Sequence, residues 1–300
     1  MRVERPTDAG AFLEAAEPLL LADEARHNLI LGVASTLRRQ PGLFPVARFW
    51  IVRDDAENVV GAAAETPPYN VIVARPAADG VIGALAGATA AASGVVAAVP
   101  EVDRFTALWC SAHGGEPRVE VEQGVYELEA VSAVPRAGGA MRPATAGERE
   151  LLERWLADFQ REALPHEEPD AERLRRIVGQ RLDDPDGGFF VWEAGGEPVS
   201  LAAAASRTPN GIRIGPVYTP PALRGRGYAT SLTADLSQLL LDRGFRFCFL
   251  YTDLANPTSN AIYERIGYVR VCESRQIAFV RRASSGGASS AEPSGAPGDA

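Results

Sequence analysis

Apolar and polar positions along the chain follow two different periods, which predicts an α/β protein. Two stretches, residues 48–64 and 188–205, are typical of a strand, a turn and a second strand. A pair of predicted helices precedes each stretch, and a strand, a helix, a strand, a helix and a last strand follow it. Helical spacing of apolar residues runs through four segments: residues 8–22, 24–39, 145–163 and 169–182.

The two halves of the chain share this order of elements, so we interpret them as a tandem repeat of one α/β unit. A strand-like segment, residues 125–131, ends just before the Pro- and Gly-containing run Pro135–Gly139. We therefore expect one domain over 1–137 and a second over 138–283. Residues 284–300 contain only small, polar or proline side chains, which predicts a disordered tail.

Composition excludes several classes of protein. The chain has 300 residues, 46% of them hydrophobic, and a net charge of −9 with a pI near 5.0. Such acidity argues against a general partner among nucleic acids or anionic membranes, because phosphate contacts need clustered Lys and Arg. The three cysteines, Cys110, Cys248 and Cys272, show no CxxC spacing, so neither a disulfide framework nor a metal site is indicated. A reducing cytoplasm fits this pattern best.

No membrane segment is predicted. The beginning of the chain lacks the apolar region of a signal peptide, and the Ala-rich run 82–99 is interrupted by glycines and followed by Pro100.

A glycine-rich corner in the second half is the strongest functional signal. Gly211–Thr219 is typical of a strand, but Pro216 lacks an N–H group and should leave that strand bulged or splayed on one side. A helix is predicted over 229–243, ended by Gly244. The glycines of Arg224-Gly-Arg-Gly-Tyr thus precede a helix N-terminus, whose unpaired N–H groups and positive dipole favour a phosphate.

Three readings of these glycines compete. A Walker loop is excluded, because no Gly-Lys-Ser/Thr follows. A dinucleotide-binding fingerprint is disfavoured, because Thr230 stands where a small residue is needed and a meander of strands precedes the glycines. A plain turn from strand to helix, in which glycine only relieves steric strain, stays open as the alternative.

A second motif follows about thirty residues later. The segment Leu250–Asn256, a strand followed by an Asn, precedes Tyr263, which is seven residues after Asn256, and Gly267-Tyr268. The helix that contains Tyr263 is expected to be capped by Thr258 or Ser259. Together with Arg224-Gly-Arg-Gly-Tyr-Ala, this pair of motifs resembles the GNAT acyltransferase family, whose signature is [Gln/Arg]-x-x-Gly-x-[Gly/Ala]. The resemblance covers residues 140–282 well and the first half only in architecture. It implies an α/β fold with a mixed sheet, built from two tandem GNAT-like domains, each a mostly antiparallel sheet with a splayed strand pair flanked by helices.

The resemblance also implies roles for individual residues. The strand Val217, Tyr218 and Thr219 would hydrogen-bond the pantetheine of acetyl-CoA. Asn256 would contact pantetheine, and Tyr263 would protonate the leaving thiolate; the alternative is that Tyr263 is a core aromatic. Arg224 and Arg226 would either add charge or be solvated. The pyrophosphate would be held by the backbone of one loop, which comprises Arg224, Gly225, Arg226, Gly227, Tyr228, Ala229 and Thr230.

The function that follows is an N-acetyltransferase that moves an acetyl group from acetyl-CoA to a primary amine, by direct attack in a ternary complex and without a metal. A non-catalytic acyl-CoA-binding module, regulatory or scaffolding, is the alternative. We expect a monomer or homodimer. No general base stands out. The acidic candidates are typical of solvated carboxylates and His166 is typical of loop surface; the acidic ones are Asp253, Glu162, Glu167 and Glu168.

The first half lacks both motifs. Its corresponding corner, Tyr69–Gly80, contains no Arg-x-x-Gly-x-Gly, and the later helix candidate at 102–110 lacks the Asn and Tyr at their spacing. We therefore expect it not to bind acyl-CoA. It would either form part of the acceptor pocket or support the active copy.

Overall fold

A computed structural model describes residues 1–75, 80–163, 168–182, 184 and 187–280. The tail expected at 284–300 lies outside the described residues. The helices are α1 (Ala9–Leu21), α2 (Asn28–Arg39), α3 (Val81–Ala88), α4 (Glu101–His113), α5 (Arg149–Ala163), α6 (Ala171–Leu182), α7 (Tyr228–Asp242) and α8 (Pro257–Ile266). The strands are β1 (Arg2–Glu4), β2 (Arg48–Arg53), β3 (Val59–Glu65), β4 (Val71–Val73), β5 (Gly94–Ala98), β6 (Glu116–Leu128), β7 (Ala140–Pro143), β8 (Gly188–Ala194), β9 (Glu197–Ala205), β10 (Gly211–Tyr218), β11 (Phe247–Asp253) and β12 (Val269–Val280).

The two halves repeat one order of elements. Each begins with a strand and two helices, continues with three strands, and ends with helix, strand, helix and strand. This confirms the predicted α/β repeat and the predicted helices and hairpins to within a few residues.

All twelve strands form one mixed sheet, in the order β1-β2-β3-β4-β5-β12-β6-β11-β10-β9-β8-β7. The last strand of each half is exchanged: β12 pairs with β5 of the first half, and β6 pairs with β11 of the second. The two exchanged strands also pair with each other, from Val269–Glu127 to Val280–Glu116. The halves therefore share a continuous ladder of backbone hydrogen bonds.

The central strands align the ends of β5 and β11. Each of the pairs β5–β12, β12–β6 and β6–β11 is antiparallel, so β5 and β11 run in opposite directions. One row of the sheet reads Ala98, Ser274, Gln123, Asp253, and it contains the last residues of both strands. The carboxyl ends of the two equivalent strands thus stop at the same level of the sheet.

Helices cover both faces of the sheet in each half. In the second half α7 contributes Leu232, Leu236 and Leu240 to one core, and α5 contributes Trp155 to the core on the opposite face. Burying one such leucine stabilises the fold by about 1.5–3 kcal/mol. The leucine spacing predicted helix α7, and Gly244, with φ +96°, ends it as predicted.

Helix α2 of the first half also contacts the second half. A Cβ added to Gly32 would lie 2.8 Å from the Cβ of Ser206, so only glycine allows this approach of helix and loop. The Asn28 side-chain amide donates to the Tyr251 hydroxyl of β11 at 3.3 Å. The halves are therefore joined through helix packing as well as through the sheet.

A charged cluster fixes the start of the second half. The Arg142 guanidinium on β7 donates to both Glu148 carboxylate oxygens at 2.8 and 2.9 Å and to Glu193 at 2.6 Å. Glu148 also accepts from the Thr145 backbone N–H at 2.7 Å in a capping box before α5. These bonds lower the pKa of Glu148 from 4.5 to about 2.

We predict that Glu148→Gln destabilises the protein at pH 7 by about 1–2 kcal/mol. Because the folded-state pKa is depressed, the contribution of Glu148 is present above pH 4.5 and is lost as the pH falls towards 2. Urea unfolding at pH 7 and pH 3 measures it. Glu150→Gln, which removes an exposed charge two residues further along, is the matched control and should change little. Equal effects of the two substitutions would contradict the prediction.

Candidate active site

Strands β10 and β11 separate along their length and leave a gap. Their parallel pairing covers only Gly211–Arg213 against Phe247–Phe249. Beyond this point β10 stays with β9, but a bulge between Ile214 and Val217 interrupts that register. The bulge contains Gly215, with φ +146°, and Pro216, which follows a cis peptide bond and cannot donate. The bulged and splayed strand predicted from Pro216 is confirmed.

The wall of the gap on the β10 side carries free backbone groups. The Tyr218 carbonyl accepts from the Ser200 hydroxyl at 3.1 Å and so faces β9. Since successive residues of a strand direct their N–H and C=O groups to opposite sides, those of Val217 face the gap. The Ser200 hydroxyl is also 2.8 Å from that of Thr219. Ser200 was not predicted from the sequence as a site residue, although it is the one hydroxyl in the otherwise apolar run Val199–Ala205.

The glycine-rich loop ends at an uncapped helix N-terminus. Gly225 and Gly227 have φ values of +77° and +79°, in the left-handed region that favours glycine, and α7 begins at Tyr228 without a side-chain cap. The first helical bond runs from Ser231 N–H to the Gly227 carbonyl at 3.0 Å. Consequently, within the described part of the chain, the backbone N–H groups of residues 225–230 have no hydrogen-bond acceptor. Six free donors at the positive end of a helix form a strong anion site.

The two arginines of the loop differ in their surroundings. Arg224 Nε donates to the Thr219 carbonyl at 2.9 Å, and Arg224 Nη2 lies 2.6 Å from a Glu162 carboxylate oxygen on α5. Its guanidinium also lies 5.8 Å from the centre of the Tyr218 ring. Arg226 is exposed and has no ion pair to any described residue. Arg226 is therefore the arginine that is free to contact an anion.

Asn256 and Tyr263 lie two turns apart on α8. The Asn256 side-chain oxygen accepts from Ser259 N–H at 3.0 Å, so Asn256 itself caps the helix. The cap expected at Thr258 or Ser259 is therefore wrong, and Pro257 takes the first helical position, which suits its fixed φ. The Asn256 side-chain amide donates to none of the described residues, so it can donate to a ligand.

The Tyr263 side chain is buried but its hydroxyl has no hydrogen bond to a described residue. Its ring lies 6.0 Å from that of Tyr268 in an edge-to-face arrangement. It belongs to the same apolar core as Ile214 of β10 and Leu250 of β11, the strands that border the gap. Burial raises the pKa of Tyr263 to about 12, so the hydroxyl stays protonated at neutral pH. By contrast, the Tyr268 hydroxyl is bonded to Ser237 Oγ at 2.8 Å.

None of the candidate bases is poised for proton abstraction. Glu162 is paired with Arg224, and Asp253 is exposed and accepts from Ala255 N–H at 2.7 Å. Glu168 is exposed, while His166 and Glu167 lie outside the described residues. Within the described ranges no cluster of three His, Cys, Asp or Glu side chains could hold a metal ion. No helix of the described chain is long and apolar enough to cross a bilayer.

Comparison with known proteins identifies this arrangement. Residues 149–268, which contain the gap, the loop and α8, match the model of the acetyltransferase (GNAT) family. The match lies wholly within the second half of the chain. No curated protein sequence matched the chain.

Solved GNAT structures share the fold over nearly the whole chain. A GCN5-related N-acetyltransferase from Sphaerobacter thermophilus has a TM-score of 0.61 and 18% identity, with 93% of this chain and 96% of that chain covered. A GNAT-family acetyltransferase from Colwellia psychrerythraea has a TM-score of 0.54 at 12% identity, covering 93% and 99%. A tandem GNAT protein from the clavulanic acid biosynthesis pathway has a TM-score of 0.54 at 16% identity, covering 92% and 97%. The tandem GNAT fold predicted from the sequence is confirmed.

The GNAT family binds acetyl-CoA, and the free amides of residues 225–230 are suited to its pyrophosphate. We predict that Gly227→Asp raises the Kd for CoA at least about tenfold, because the carboxylate repels the phosphates. Gly195→Asp is the matched control: Gly195 also has a left-handed φ, +63°, and lies in the exposed turn between β8 and β9. Calorimetry with CoA measures both, and an equal loss of affinity in the control would count against a phosphate site at Gly227.

Proposed function

We propose that the protein is an N-acetyltransferase that transfers the acetyl group of acetyl-CoA to a primary amine, by direct attack in a ternary complex. One observation supports this most: a row of six free amides at the start of α7 lies at the same end of the sheet as the gap between β10 and β11. The diphosphate would lie on the amides, with Arg226 adding charge. The pantetheine would run into the gap beside Val217, Tyr218 and Thr219, within reach of the Asn256 amide.

The chemistry needs only groups that the gap already offers. The amine lone pair attacks the thioester carbonyl, and the oxyanion that develops accepts a hydrogen bond from the Val217 N–H. When the tetrahedral intermediate collapses, the C–S bond breaks and the thiolate takes a proton from the Tyr263 hydroxyl. The nitrogen releases its proton to water, and Tyr263 recovers its own proton from the solvent, which completes the cycle. Tyr263 suits this role because its hydroxyl is protonated at neutral pH and has no competing acceptor among the described residues.

The first half has a similar arrangement of strands and helix start, but it lacks the two sequence motifs of the second half. Strands β4 and β5 pair only over Val71–Ile72 against Val95–Val96, and Gly80, with φ +78°, precedes α3 as Gly227 precedes α7. Arg26 Nη2, however, hydrogen-bonds the Val99 carbonyl at 3.0 Å, just after the end of β5. We propose that residues 1–137 do not bind acyl-CoA and that residues 138–283 form the catalytic domain, working in the reducing cytoplasm.

Two measurements on the intact chain test the proposed activity. Calorimetry should detect binding of acetyl-CoA, and a panel of primary amines should release CoA thiol in steady state. Binding without thiol release from any amine would favour a regulatory or scaffolding acyl-CoA-binding module instead. Absence of binding to CoA and its acyl esters would refute both functions.

We predict that Tyr263→Phe lowers kcat about 100-fold, the usual contribution of a general acid, while the Kd for acetyl-CoA changes little. The folded state should be nearly as stable as before, because the lost hydroxyl makes no hydrogen bond to any residue that the structure describes. Tyr268→Phe is the control in the same core: it breaks the bond to Ser237 and should cost stability without a comparable loss of kcat. If Tyr268→Phe slows turnover as much as Tyr263→Phe does, the acid role is wrong.

A further inference from the structure

Arg213 lies where strands β10 and β11 begin to separate. It is the last residue of β10 that pairs with β11, opposite Phe249. Tyr251 stands on β11 two residues beyond Phe249, where the strands are already apart, and Arg213 Cζ lies 5.9 Å from the centre of its ring. The Arg213 side chain therefore crosses from one strand to the other at the closed end of the gap.

This side chain lies on the face of the sheet that is opposite to α7. Ile212 and Ile214, its two neighbours on β10, belong to the core beneath α7, so Arg213 between them is directed to the other face. The free amides that suit a diphosphate belong to the start of α7. An acceptor held by Arg213 would therefore reach the gap from the opposite side of the sheet, as direct attack in a ternary complex requires.

A second guanidinium group lies nearby, on α6. Arg181 Cζ lies 5.7 Å from the centre of the Phe189 ring on β8. The pKa of Arg181 is lowered to about 10, first by burial and then by the positive charge of Arg213, and Asp184 offsets part of this effect. Among the described residues, Asp184 also acts on the pKa of Arg207. Negative charge is therefore in deficit around Arg181.

No described carboxylate forms an ion pair with Arg213. Its one hydrogen bond within the described part of the chain runs from Nη2 to the Ser206 hydroxyl at 2.9 Å. Burial lowers the pKa of Arg213, and the group that opposes this effect is the Tyr251 hydroxyl. That hydroxyl is neutral at pH 7, because burial raises the pKa of Tyr251 to about 12. A desolvated and unpaired guanidinium costs stability, and a bound anion would relieve that cost.

Both arginines are nevertheless accessible to a ligand. Each side chain is half-buried rather than buried. Their guanidinium nitrogens that lack a hydrogen-bond partner in the described part of the chain are in contact with solvent. The unused N–H donors thus face water that an anion can replace.

The strand spacing limits the distance between these donors and the reacting carbonyl. Val217, whose N–H faces the gap, is four residues after Arg213, at most about 13 Å along β10. The guanidinium leans towards Tyr251, which is about 7 Å further along β11 than Phe249. The remaining distance from the guanidinium to the Val217 N–H is on the order of 7 Å, so an anion on Arg213 would lie only a few bonds from an attacking amine.

We propose that Arg213, together with Arg181, binds the carboxylate of the acceptor, and that the acceptor is a short amino acid. The proposal rests on the proposed acetyltransferase activity and names its substrate class. A planar guanidinium group matches a carboxylate through two parallel N–H···O bonds. The amine of the same molecule then faces the thioester carbonyl in the gap.

Steady-state thiol release with amino acids and their amides tests the carboxylate. Glycine, β-alanine and γ-aminobutyrate are each compared with the corresponding amide, which keeps the amine and removes the negative charge. The value of kcat/KM refers to the unprotonated amine, because the carboxylate raises the pKa of the amine. We expect at least one acid to exceed its amide in kcat/KM at least about tenfold. Amides that react as well as the acids in all three pairs would overturn the proposal.

Substitution assigns the effect to the arginines. Arg213→Gln should lower the acid-to-amide ratio of kcat/KM at least about tenfold, whereas Arg213→Lys keeps the charge and should retain part of the ratio. Arg181→Gln should lower the ratio as well. Arg176→Gln, which removes an exposed arginine of α6, is the matched control and should leave the ratio unchanged. An unchanged ratio in Arg213→Gln, or an equal loss in the control, would contradict the proposal.

Urea unfolding distinguishes an arginine kept for a ligand from a structural one. Because Arg213 is desolvated and unpaired, Arg213→Gln should unfold at the same or a higher urea concentration when no ligand is present. A less stable or unfolded variant would mean that Arg213 supports the fold. The acid-to-amide ratios of Arg213→Lys and Arg181→Gln then decide whether the arginines also bind the carboxylate.

Calorimetry with and without CoA separates this proposal from the proposed function. If no amine is acetylated, binding of an amino acid but not of its amide, lost in Arg213→Gln, supports the carboxylate site, and the failure falls on the acetyltransferase activity. If neither turnover nor calorimetry distinguishes acid from amide, the carboxylate site is refuted, whether or not other amines are acetylated.

Discussion

The antiparallel ladder between β6 and β12 is the interaction on which the arrangement of both halves depends. It inserts the last strand of each half beside the fifth strand of the other. Separating the halves would expose the unpaired edges of four strands at once, which is costly because buried backbone groups need hydrogen-bond partners. The exchange also brings the carboxyl ends of β5 and β11 to one row of the sheet. Both gaps have their positions because of this ladder.

Within the second half, the separation of β10 and β11 depends on local chemistry. Pro216 cannot donate and Gly215 adopts a backbone angle that other residues avoid, so β10 bulges against β9 and parts from β11. The loop that follows uses two further glycines to turn into α7 without a cap. The same sequence features that weaken the regular sheet and helix thus leave backbone donors free for a ligand.

The two halves share one backbone arrangement but differ in the groups that surround it. Both have a strand pair that separates and a left-handed glycine before the next helix. In the first half the Arg26 and Glu101 side chains lie at the strand end instead of free amides and a tyrosine. The Asn28 side chain of α2 donates a hydrogen bond to Tyr251 of the other half. The first half is therefore built into the surroundings of the second half's gap.

Much of the fold and of the candidate site could be predicted from the sequence, because these features depend on residues close together in the chain. The period of the apolar residues predicted the helices and hairpins. Pro216 predicted the bulge, and Gly225 and Gly227 predicted the start of α7 with its unpaired N–H groups. The cap of α8 was misassigned by two or three residues, since Asn256, Thr258 and Ser259 can all cap a helix and only the backbone decides among them.

The tertiary structure alone decided two features: the exchange of β6 and β12, and the pairing of Arg224 with Glu162. Each joins residues far apart in the chain, and strand pairing or ion pairing at such separations leaves no periodic signal. The sequence by itself determined the repeated α/β unit and the backbone of the anion site. Which strands became neighbours, and hence which side chains face the gap, followed from packing the two halves into one sheet.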